Sequence, residues 1–238
     1  MIIGIDSSRA YVSDKTGTEN YSYNLINARV RLPESAAHTF VLFTRPNAIM
    51  PTELVGYTNV KIVEVRWPYL WTQAGLAWET WAKPKLGVLW VPAHTLPVLR
   101  NPRIPTVVTI HGLEYQWLPE YKNILQKWYL PLSTYYAAKY ATKLIAVSQF
   151  TGNQLVKELH TAKKKIKVIH EGVELDARVQ ILASRKVMQK FGIENKKYIL
   201  FVGTVQPRKN LVALVEAFSH FASGPARDTV QDYKLVIA

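Results

Sequence analysis

The residues best placed for chemistry lie between Tyr198 and Phe221, where the apolar run YILFV meets Gly203, then Pro207, Arg208 and Lys209, and then an amphipathic stretch. That order reads as strand, turn and helix start. The unpaired N–H groups and positive dipole end of a helix start favour an anion, and Arg208 and Lys209 add two full charges. A diphosphate would satisfy all of these donors, because its oxygens accept backbone N–H groups, a guanidinium fork and an ammonium together. On these residues alone, a plain surface loop with Gly, Pro and two basic residues remains an equal reading. Two phosphate motifs are excluded. There is no second Gly before Lys209 and no Ser or Thr after it, and Gly203 stands without the spaced glycines of a dinucleotide fingerprint.

Other candidates stand at the ends of apolar runs. Gly17 precedes a helical pattern in which Tyr21, Leu25, Ala28 and Leu32 share a spacing, so the backbone there could come close to a ligand or merely turn. His111 and Gly112 follow the strand candidate Thr106 to Ile110, at the end where parallel sheets bind ligands. A lone His is as often structural. Ser148, after the strand Lys143 to Val147, reads as the N-cap of a helix from Gln149 to Leu159 whose inner side would be Phe150, Leu155 and Leu159.

The elements that must position these residues alternate. Strand candidates at 1–5, 39–43, 60–65, 88–91, 106–110, 143–147 and 166–169 are separated by helical patterns, although 43–60 lacks a convincing long helix. Such alternation predicts a parallel sheet covered on both faces. Trp67, Trp71, Trp78, Trp81 and Trp90 crowd around a helix expected from Tyr69 to Ala82. Tryptophans so spaced belong to a core by default, with sugar stacking or membrane contact as the sharper alternative. The turn Lys163 to Lys165 is expected to be solvated. A polar helix from Ala177 to Lys190, stopped by Gly192, separates this series from a second one beginning at Tyr198, whose last strand is Tyr233 to Ala238. The expected division is residues 1–172, a linker and helix at 173–197, and the start of a second domain at 198–238, the chain stopping in mid-domain.

The 238 residues carry a formal net charge of +13 and no cysteine. Disulfides, thiolate metal sites and cysteine nucleophiles are thereby excluded. No apolar run approaches the roughly 18–20 residues that span a bilayer, and the N-terminus lacks a signal-peptide pattern, so a cytoplasmic protein is expected. The charge suits three settings: nucleic acid, anionic lipid at the inner membrane face, or a solvated basic surface. No nucleic-acid motif accompanies the scattered basic residues, and nucleic acid is not expected as a partner.

Together, several stretches resemble the GT-B glycosyltransferases of family 4. They are Gly17-Thr18-Glu19-Asn20-Tyr21, Val91-Pro92-Ala93-His94-Thr95-Leu96-Pro97, Thr109-Ile110-His111-Gly112, Ala146-Val147-Ser148-Gln149-Phe150-Thr151, Val168-Ile169-His170-Glu171-Gly172-Val173 and Gly203-Thr204-Val205-Gln206-Pro207-Arg208-Lys209-Asn210. The resemblance implies an α/β protein with a complete N-terminal Rossmann-like domain and the first β-α-β part of a second. It implies a retaining hexosyltransferase that uses a nucleotide-diphosphate sugar as co-substrate, with no cofactor and no metal, and a glycan or lipid-linked acceptor of cell-surface polysaccharide synthesis held by residues 1–172. By the same resemblance Arg208 and Lys209 neutralise the departing diphosphate, Gly17 and Gly203 belong to its binding loops, and His111 lines the donor sugar. The family's paired glutamates would lie beyond Ala238, which implies little transfer by this polypeptide alone. A non-catalytic, glycosyltransferase-like binding module is the alternative.

Overall fold

The computed structural model describes residues 1–82, 86–113, 115, 124–173, 185–194, 197–203, 205–224 and 233–238. They fall into two compact units, Met1–Glu171 and Gly172–Ala238.

In the first unit the described strands are β1 (Ile2–Asp6), β2 (Thr39–Thr44), β3 (Val60–Glu64), β4 (Val88–Val91), β5 (Thr106–Ile110), β6 (Lys143–Ala146) and β7 (Ile166–Val168). They make one parallel sheet in the order β3-β2-β1-β4-β5-β6-β7. Both faces are covered, so alternate residues of a strand enter different cores: Phe40 and Leu42 of β2 pack with Ile26 and Val30, whereas Val41 and Phe43 pack with Trp71 and Leu76. The chain builds outward from β1 to β3 and then returns to add β4 on the other side of β1. That reversal opens a crevice at the carboxyl ends of β1 and β4, where such sheets receive ligands.

Helix α1 (Gly17–Arg31) begins with a capping box: Glu19 reaches back to the N–H and hydroxyl of Thr16. Its inner side is Ser22, Ile26, Asn27 and Val30, one residue round from the expected stripe, and Leu32 is exposed. The gap between β2 and β3 holds only the short helix α2 (Thr52–Val55). The helix expected from Tyr69 to Ala82 is instead a π-helical segment, Trp71–Leu76, running into α3 (Ala77–Ala82). Gly75 makes this packing possible, since a Cβ there would lie 2.8 Å from both Trp67 Cβ and Val65 Cγ1. Helix α4 (Ile124–Tyr140) precedes β6, and α5 (Gln149–Leu159) follows it.

Ser148 does cap α5, accepting the N–H of Thr151 at 3.0 Å. Phe150 is not in the core; Thr151, Gly152, Gln154 and Leu155 take the inner side. Lys165 also departs from expectation. Its ammonium donates to the carbonyls of Ala138 and Lys139 at 2.9 and 2.8 Å and so closes the end of α4.

In the second unit, β8 (Lys197–Phe201) and β9 (Tyr233–Ile237) pair in parallel, and α6 (Leu211–Ser223) lies between them in sequence. Most of the helix expected at 177–190 lies outside the described residues; 185–190 are helical. Gly192, at φ +59°, ends that helix, with Ile193 N–H reaching back to Met188 O at 3.0 Å.

Candidate active site

The carboxyl ends of β4 and β5 bring together two histidines that sequence spacing leaves 17 residues apart. His111 follows β5, and its ring is held on three sides. Nε2 lies 2.9 Å from Pro92 O, Nδ1 lies 3.1 Å from Glu171 Oε1, and the ring makes a T-shaped contact with Tyr21 of α1 at a centroid distance of 4.7 Å. Both nitrogens therefore face oxygen atoms, one from the backbone and one from a carboxylate. The side chain is 12% exposed, whereas Glu171 is half exposed.

His94 is the partner that spacing did not reveal. It takes a left-handed backbone at φ 36°, and its Nε2 accepts the backbone N–H of His111 at 3.4 Å. An accepting Nε2 requires the neutral ring. Burial, with the nearby His111 and Arg9, depresses the His94 pKa to about 3. Tyr21 completes the cluster. Thr109 hydrogen-bonds its hydroxyl and also accepts Trp90 Nε1 at 3.2 Å, and burial raises the phenol's pKa.

Gly17 is the first residue of α1, and a Cβ built on it meets nothing within 4 Å. The approach to this helix start is open. Two cavities lie at the same sheet edge. One of about 220 Å³ is bounded by His111, Gly112, Ser148, Phe150 and Thr151, all near the start of α5. The other, of about 250 Å³, is bounded by Asp6, Arg9, Arg45, Gln73 and Tyr129, none of which the motifs singled out. Burial raises the carboxyl pKa of Asp6, opposed by the Ser8 hydrogen bonds and by the charges of Arg9 and Arg45. Arg45 rests its guanidinium over the Trp71 ring at 5.7 Å, while Arg9 pairs with Glu19 at 3.2 Å. Among the described residues no three His, Asp or Glu side chains gather as metal ligands.

The remaining predicted residues belong to the second unit. Gly203 has φ +155°, a conformation suited to glycine, and its N–H is already used by Ala238 O at 2.8 Å. Arg208 and Lys209 do not run directly into a helix. They occupy a 3-10 turn, Pro207–Lys209, and Asn210 in left-handed conformation separates that turn from α6. Lys209 is exposed.

A seven-stranded parallel sheet whose strand order reverses at β1, followed in the chain by a two-stranded parallel sheet, has the Rossmann-like α/β architecture of GT-B glycosyltransferases. Residues 16–177 match the model of glycosyltransferase family 4, and the chain belongs to that family. Solved structures agree on the fold. Anabaena HepE in complex with UDP-glucose is 14% identical, with a TM-score of 0.55 over 99% of this chain and 59% of that one. HepE in complex with UDP and glucose gives 14%, 0.56, 99% and 60%. A glycosyltransferase from Rickettsia africae gives 18%, 0.55, 99% and 67%. The chain thus spans about 60% of the length of HepE. No curated protein matches the sequence.

Proposed function

We propose that this chain serves in the transfer of a glycosyl unit from a nucleotide-diphosphate sugar to a glycan or lipid-linked acceptor, with retention at the anomeric carbon. Family 4 membership, joined to the cluster of Tyr21, His111 and Glu171 beside the open start of α1, is the observation that carries this reading. Gly17 leaves room for phosphate oxygens at a helix N-terminus, where backbone N–H groups and the dipole favour them. His111, held by Pro92 O and Glu171, presents a fixed ring edge to the sugar. Arg208 and Lys209 supply positive charge where the departing diphosphate gathers negative charge, which lowers the barrier electrostatically. The cavity beside Asp6 and Arg45 takes the acceptor. The setting is the cytoplasmic side of a membrane, in the synthesis of cell-surface polysaccharide.

UDP is the first nucleotide to try, because HepE binds UDP and UDP-glucose. A ligand that binds only the folded state raises its melting temperature. UDP-sugars should therefore stabilise the chain, and Arg208→Ala with Lys209→Ala should abolish that stabilisation. Equal stabilisation of parent and double variant would refute the diphosphate assignment.

A further inference from the structure

The outward sides of α3 and α4 carry the wrong chemistry for water. Along α4, Trp128, Leu132, Tyr135 and Lys139 follow helical spacing and face out, while Ser133, Thr134, Ala137 and Ala138 are buried. Trp128 is 67% and Leu132 62% exposed. Helix α3 repeats the inversion: Ala77 and Thr80 turn inward, and Trp78 and Trp81 are 62% and 58% exposed.

The loop after β4 joins these stripes into one surface. Trp81 Nε1 donates to Leu99 O at 2.9 Å, Val98 N–H to Gln73 Oε1 at 2.8 Å, Gln73 Nε2 to Tyr129 OH at 3.4 Å, and Tyr136 OH to Val98 O at 3.1 Å. Val98 and Leu99, both exposed, thus sit between the two helices. One border of the patch is basic. Arg100 donates to Tyr136 OH and Tyr140 O, Lys139 lies over the rings of Tyr135 and Tyr140, Lys165 ties the Lys163–Lys165 turn to the end of α4, and Lys143, at the start of β6, donates to Lys164 O in the same turn. No Asp or Glu occurs from Ile124 to Lys143.

We infer that this face docks on an anionic lipid bilayer, with Trp78, Trp81, Trp128, Leu132 and Leu99 in the headgroup boundary and the lysines on anionic headgroups. Tryptophan and tyrosine settle at that boundary, each with an apolar body and a polar tip, and basic side chains add attraction to anionic lipid. The net charge of +13 gives the long-range complement. Among other occupants, a second copy of a chain so basic would bring like charge against like charge. Leu70 and Tyr129, which line the acceptor cavity, adjoin the docking face, so an acceptor embedded in the bilayer reaches Asp6 and Arg45 without leaving it. That last consequence rests on the proposed transfer; the docking does not.

Flotation of the purified 238-residue chain with vesicles tests the assignment, using phosphatidylcholine alone and phosphatidylcholine mixed with phosphatidylglycerol. Binding to the mixed vesicles should be about tenfold tighter or more, since several lysines face the surface. Trp78→Ser/Trp128→Ser/Leu132→Ser should lose binding to both, while Lys139→Gln/Lys164→Gln should lose the preference for anionic lipid. Circular dichroism should match the parent in each case. Stabilisation by UDP-sugar should persist in both variants, which separates docking from donor binding. No vesicle binding, binding indifferent to the triple change, or a dimer that the triple change dissociates without any affinity for lipid would each overturn the inference.

Discussion

Nδ1 of His111 lies 3.1 Å from Oε1 of Glu171, joining the end of β5 to the end of β7 across 60 residues of sequence. The pair holds the imidazole, with Pro92 O on the opposite nitrogen, in T-shaped contact with the ring of Tyr21. Glu171→Gln keeps the shape and removes the charge. With Glu171 half exposed, stability should fall by no more than about 1 kcal/mol. UDP-sugar affinity should fall several-fold, because the ring loses its fixed orientation. Calorimetric titration with unaltered affinity would show that the pair does not orient a donor-facing ring.

Gly17→Ala separates a ligand requirement from a folding one. No protein atom opposes a Cβ at this position, and Ala is the better helix former. The melting temperature should stay level or rise, by up to about 1 kcal/mol in stability. Donor binding should weaken by about tenfold, since a methyl would stand where phosphate oxygens approach the helix start. Undiminished binding would remove Gly17 from the site.

His94 gives a pH signature of known sign. Its pKa falls from 6.5 in the unfolded chain to about 3 in the fold, so between those values the unfolded state holds a proton that the folded state lacks. Stability from this residue is complete above about pH 6.5 and is lost as pH falls towards 3, with a limiting slope of about 1.4 kcal/mol per pH unit. Asp6 opposes this trend, because its raised pKa favours the fold in acid. Denaturant titrations of parent and His94→Gln across this range should therefore diverge, the variant showing the shallower acid loss. Parallel curves would mean that His94 is not held neutral.

Gly75→Ala should be costly. A Cβ 2.8 Å from Trp67 and from Val65 forces the π-helical segment off the end of β3. Overpacking of this kind costs about 1–3 kcal/mol. It should also disturb the orientation of Trp71 and so the cavity beside Arg45, visible as a shift in tryptophan emission. A melting temperature equal to the parent's would show that the segment yields freely.

Much of the fold was legible because parallel strands buried on both faces must be short apolar runs, and seven such runs stand in the sequence. Ser148 was legible for a local reason: a cap is made by a side chain and an N–H three residues on. The family likewise followed from motifs in order along the chain. Side-chain environments did not follow so well. Periodicity placed the inner stripe of α1 one residue away from its true position and put Phe150 inside, because 3.6-residue spacing defines a stripe without saying which neighbours cover it.

Tertiary structure decided the rest. Only the strand order, with β4 beside β1, brings His94, His111, Glu171 and Tyr21 together from four separate segments. The tryptophans show the same division. Trp71 is buried, while Trp78 and Trp81, ten residues or fewer away, face outward, since a sheet face covers one side of a helix and leaves the other to whatever the protein meets. Likewise the sequence placed Arg208 and Lys209 at a helix start, and the backbone of Asn210 set them in a turn before it. Residue types and their spacing determined which groups were capable of chemistry; the packing of distant segments determined which of them meet.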